Sequence, residues 1–189
     1  MAADRRLRWL FPVLALLALV FAWLYWPSHQ RDLPAVPSMS GSEIVAMSDS
    51  ARVGKVAGQL RWYLAADDRR QKQWRTLAEP ARHLLVLSAV EGDQGAAASS
   101  DFHGFNAQAA DTQVLRFTSQ ELADAYRAIG AKACAAVADE AGKAAGDAKR
   151  LADCDRRLIA ASSQDKAIAL LAAYIRQHAD ELAAVWAKP

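Results

Sequence analysis

From Trp9 to Trp26 the chain reads WLFPVLALLALVFAWLYW, a run with no charged side chain and no polar alternation. At about 1.5 Å per residue, 18 helical positions cover roughly 27 Å, close to the ~30 Å hydrocarbon core of a bilayer. Trp9 borders one end and Trp23, Tyr25 and Trp26 the other, as amphipathic rings do at the headgroup layer. Beyond this run the pattern changes to the three-and-four spacing of amphipathic helices. Val45, Val53, Val56, Leu60, Tyr63 and Leu64 predict a helix from about Ser42 to Ala66, which Ser40 and Glu43 open as a capping box. Gly54 and Gly58 on it offer room for a close neighbour. Pro80 suits the first turn of a helix carrying Leu84, Leu85, Leu87 and Val90. Thr118 and Glu121 form a second capping box ahead of Leu122, Tyr126 and Ile129, with Gly130 as the stop. An alanine-rich helix over 131–145 follows, broken by Gly146 and Asp147, and Leu151, Leu158 and Ile159 continue the helical pattern. The clearest period is Ile168, Leu171, Ile175, His178, Leu182 and Val185, which predicts one closing helix over 163–186. Strand alternation is absent, so the fold class expected is all-α: one transmembrane helix followed by a helical bundle.

This pattern divides the chain into a leader (1–8), a membrane span (9–26), a linker (27–41) and a helical domain (42–189). The linker, PSHQRDLPAVPSMSG, has three prolines and small polar residues. A cleaved secretory signal shares the basic start, but bulky aromatics stand where a small-x-small site would lie, which favours a retained anchor. Charge then sets the orientation. Arg5, Arg6 and Arg8 precede the span, and the positive-inside rule keeps them in the cytoplasm. The expected location is the inner membrane, with the domain in the periplasm and lipid as its first partner.

The formal charge of +2 belongs to that leader. Of 23 basic and 21 acidic residues, Arg5, Arg6, Arg8 and Asp4 fall before residue 27, leaving 20 of each sign beyond it. A neutral domain lacks the basic field that direct nucleic-acid binding needs. With 189 residues, nine glycines and six prolines, the chain suits one ordinary domain plus an accessory segment.

Catalytic patterns are missing. His29, His83, His103 and His178 make no H-E-x-x-H spacing, and there is no G-x-S-x-G, P-loop or dinucleotide fingerprint. No cofactor or metal is expected, and the domain reads as non-enzymatic. A cryptic hydrolase would need Asp101, His103 or His83 brought beside a second histidine or a carboxylate. His178 suits a packed or capping role. Cys134 and Cys154 either pair across a helical hairpin in an oxidising compartment or are two separate buried thiols. The charged stretch Asp67-Asp68-Arg69-Arg70 reads as a solvated turn. Within the loop expected after Glu91, Phe102, His103, Phe105 and Asn106 surround Gly104. They either plug the end of the bundle or bind a partner.

Three stretches resemble the DNA-mimic-protein type C-terminal domain family of small helical bacterial domains. HLLVLSAVEGD (83–93) is similar to the helix before that family's central motif. SSDFHGFNAQ (99–108) with ELADAYRAIGAKACAAVADEA (121–141) resembles its Asn-Gly-Gly-Phe, aromatic, Asn pattern and the next helix. LLAAYIRQHADEL (170–182) resembles its closing helix. The resemblance implies an all-helical fold, a protein partner, and Phe102, His103, Phe105 and Asn106 as binding positions. Ser99-Ser100-Asp101 stands in place of Asn-Gly-Gly. The neutral charge also departs from the strongly negative surface that a DNA mimic needs to attract a DNA-binding protein.

Overall fold

The structure, a computed structural model, describes residues 38–65, 73–92, 104–105 and 117–187. Those residues are helical, with no strand among them. The expected span, with Trp9, Trp23, Tyr25 and Trp26, lies outside them. Among the described residues no single helix is long and apolar enough to cross a membrane.

Helices α1 (Gly41–Ala46) and α2 (Asp49–Ala65) stand where one helix is predicted. The Ser40 capping box forms as expected: Glu43 N–H donates to Ser40 Oγ, and Ser40 N–H donates to Glu43 Oε2 at 2.7 Å. The break at Met47–Ser48 has a physical cause in Arg52, which is fully buried. Its guanidinium donates to the carbonyls of Val45 (3.2 Å) and Met47 at the open end of α1, and to that of Ile44 (3.0 Å), which also accepts from the Met47 N–H. The break turns Val45 outward, 48% exposed, while Val53, Val56, Leu60, Tyr63 and Leu64 are buried. Gly58 faces open space rather than a close neighbour.

A 3-10 turn at Trp74–Thr76 leads into α3 (Glu79–Glu91), with Pro80 in its first turn. Every residue from Leu84 to Glu91 is buried, so the C-terminal part of α3 is enclosed on all sides, while its first turns carry the exposed Glu79. It packs against α2, α4 (Ser119–Ile129), α7 (Ala167–Gln177) and α8 (Ala179–Trp186). Helix α4 opens on the Thr118–Glu121 capping box and closes on Gly130 in the left-handed conformation, φ 85°. Its Leu122, Tyr126 and Ile129 are buried together.

Helix α5 (Lys132–Lys143) is joined to α6 (Ala148–Asp165) by a turn in which Gly146 has φ 89° and Asp147 Oδ1 accepts from the N–H groups of Lys149 and Arg150. Alanines 135, 138 and 141 line the buried side of α5, where small side chains permit close helix approach. The predicted closing helix over 163–186 is three pieces. Helix α6 carries through Ser163 to Asp165, Lys166 takes the left-handed conformation (φ 54°, ψ 47°), and a second break falls at His178. Leu171, Ile175, Leu182 and Val185 nonetheless share the core across that break. The two ends of the domain meet, since Trp186 Nε1–H donates to the carbonyl of Met39 at 2.8 Å. A Cβ at Gly41 would fall 1.9 Å from Asp180 Oδ1 of α8, so any larger residue there displaces that side chain.

Candidate functional site

Of the four loop positions singled out in the sequence, Phe105 is described, and Phe102, His103 and Asn106 lie outside the described residues, as does Asp101. Phe105 is buried, and its N–H donates to Asp155 Oδ1 of α6 at 2.8 Å. Gly104 beside it has φ 93°, and a Cβ there would fall 2.6 Å from Asp155 Oδ2. Asp155 therefore receives a glycine-specific turn. Burial pushes its carboxyl above the ordinary range while the Phe105 N–H pulls it back. Phe105 thus acts as a plug at this end of the bundle.

Around the plug lies a groove of about 560 Å³, floored by Phe105, Phe117 and Leu151 and edged by Thr118, Ser119 and Gln120. Gly142 and Ala145 of the α5 end keep one wall low. Such a surface combines apolar side chains with a polar rim.

Sequence reasoning missed a buried polar cluster. Glu91, the last residue of α3, is fully buried. Its Oε1 accepts from Tyr126 Oη at 2.5 Å, and its Oε2 from Ser162 Oγ at 2.6 Å. Nearby, the Cys134 N–H donates to Asp165 Oδ2 at 2.9 Å. Burial first and Glu91 second drive the Tyr126 phenol well above its ordinary value, and the same causes raise the Cys134 thiol. Both therefore stay protonated. The Ser162 hydroxyl is committed to Glu91, so the cluster fastens α3, α4 and α6 together. Its only sequence signal was an acid that directly ends an apolar run, at Val90-Glu91.

Cys134 and Cys154 are both buried as free thiols. Each faces a different environment. Cys134 sits by Glu91 and Asp165, whereas Cys154 lines a charged cleft with Glu140 and Arg157. Burial, and then Glu140, raise the Cys154 thiol too.

Two histidines far apart in sequence share one tyrosine. His83 Nδ1 lies 3.0 Å from Tyr174 Oη, and the Tyr174 ring lies 4.4 Å from the His178 ring. Glu79 stands 3.7 Å from His83 Nε2, and Glu181 hydrogen-bonds His178 Nδ1 at 2.7 Å. Burial lowers the His83 value, with Glu79 and Asp124 opposing and Arg82 and His178 assisting. Tyr174 is pushed up to about 12 by burial and then by Glu79 and Glu181. His178 sits where α7 ends, and its ring is partnered by the first turn of α8. No group of three metal-ligating side chains is arranged to hold an ion among the described residues.

The surface is a mosaic of opposite charges. Arg75 pairs with Glu121, Arg127 with Asp124 and Asp139, Arg157 with Glu140, and Arg176 with Asp49. Comparison with family models, curated proteins and solved structures finds no match in any of the three.

Proposed function

We propose that this chain is a single-pass inner-membrane protein whose helical domain faces the periplasm and binds a protein partner without catalysing a reaction. The observation that carries the reading is the uncharged, aromatic-bordered run 9–26 behind Arg5, Arg6 and Arg8. Such a run is cheaper in lipid than in water, and arginines resist translocation. The groove at Phe105 and Phe117 supplies the contact surface, and the Trp186–Met39 bond gives the linker a fixed point of entry into the bundle.

DNA mimicry, which the family resemblance suggests, is the weaker reading. A mimic needs a continuous acidic face in place of phosphates, and the carboxylates of Glu121, Asp124, Asp139 and Glu140 are each neutralised by an arginine. The test is a photo-crosslinking residue placed at Ser119 or Gln120 in the full chain, expressed in intact cells. One reproducible adduct with an envelope protein is expected. An adduct with a cytoplasmic DNA-binding protein, or none at either position, overturns the proposal.

A further inference from the structure

Although the domain is neutral as a whole, its charge is unevenly placed where α5 turns into α6. A cleft of about 420 Å³ there is lined by Lys149, Arg150, Arg156 and Arg157, against two carboxylates, Glu140 and Asp153. Both carboxylates are already engaged. Glu140 holds Arg157 at 2.5 Å, and Asp153 holds Arg156 at 3.0 Å. Lys149 and Arg150 are exposed, and their side chains carry no ion pair among the described residues. The backbone N–H groups of these same residues are taken by Asp147, so the cleft's positive character comes from side chains rather than from the helix end. Placing cations in a first turn is itself unfavourable for the helix. Their presence adds nothing to the fold that the structure displays.

We propose that this cleft is a binding site for a phosphate-bearing anion. A phosphate dianion matches the excess of two positive charges. The planar guanidinium of Arg150 can donate two parallel N–H bonds to phosphate oxygens while the Lys149 ammonium contributes a compact charge. Arg156 and Arg157 are held only by exposed ion pairs, which are weak and exchange readily for a doubly charged ligand. The phosphate can belong to a lipid headgroup or to a free anion. The chemistry of recognition is the same for both.

The experiment is hydrogen exchange over 144–157 in the full chain, reconstituted into nanodiscs of phosphatidylcholine or of phosphatidylglycerol. Pyrophosphate added to the phosphatidylcholine discs at ten times its half-saturating concentration should slow exchange in this segment about tenfold. Protection in phosphatidylglycerol discs without pyrophosphate instead identifies the headgroup as the source. Lys149→Ala/Arg150→Ala should abolish either effect, and Lys55→Ala, on α2, should abolish neither. Equal exchange in all three conditions overturns the site, as does protection that survives the double substitution. Should the chain stay soluble without lipid, the anchored reading fails, and the pyrophosphate arm still tests the cleft in buffer.

Discussion

Arg52 and Glu91 are both ionisable residues and both fully buried, yet they bind the fold together in opposite ways. Arg52 reaches partners that are mostly near in sequence: the carbonyls of Ile44, Val45 and Met47, and the carboxylate of Asp49. Its one long reach is to the carbonyl of Ala172. Glu91 is held by Tyr126 and Ser162, which are 35 and 71 residues away. The arginine therefore shapes a local corner, whereas the glutamate's described bonds exist only once three helices have assembled. A buried ionisable residue in this molecule can be a joint or a keystone, and sequence separation tells which.

That contrast can be broken most severely at Glu91. Glu91→Ala leaves two hydroxyls buried without their acceptor, at about 1–3 kcal/mol each, and urea unfolding should show a loss of roughly 3–5 kcal/mol. Hydrogen-exchange protection should fall throughout α3, α4 and α6. Arg52→Ala should cost less, about 1.5–3 kcal/mol, because the freed carbonyls of a six-residue helix can turn to water. Its loss of protection should be concentrated in 41–48, and a spread as wide as that of Glu91→Ala would erase the distinction. Smaller again, Ser40→Ala removes the cap of α1 and should cost about 1 kcal/mol in the same unfolding assay.

The smallest effect concerns pH. His83 has a folded value below its ordinary 6.5, set mainly by burial. Between those two values the unfolded chain binds more protons than the folded one, so stability falls as pH drops through that window. Comparing unfolding midpoints of the wild type and His83→Gln across pH 5 to 8 should show a flatter curve for the variant below about 6.5.

Local chemistry made much of the fold legible. Ser40 with Glu43, Thr118 with Glu121, Pro80, Gly130 and the Gly146-Asp147 break each act within a few residues, and each is found where the pattern puts it. The breaks at Met47–Ser48, Lys166 and His178 carry no glycine or proline. Met47 is drawn out by a side chain five positions on, and Lys166 takes a conformation lysine seldom adopts, so an unbroken period was the natural reading. The His83–Tyr174 contact spans 91 residues, and no spacing rule reaches so far. The cysteine alternatives were open for the same reason: a helical hairpin can bring two helices together without aiming their thiols at each other.

The proposed function depends on residues 9–26 lying in a membrane and on the helical domain lying beyond it. Fusing alkaline phosphatase, and separately a fluorescent protein, to the C-terminus of the full chain in a Gram-negative cell tests this most directly. An active phosphatase with a dark fluorescent fusion is the predicted result. A silent phosphatase with a bright fluorescent fusion would contradict it.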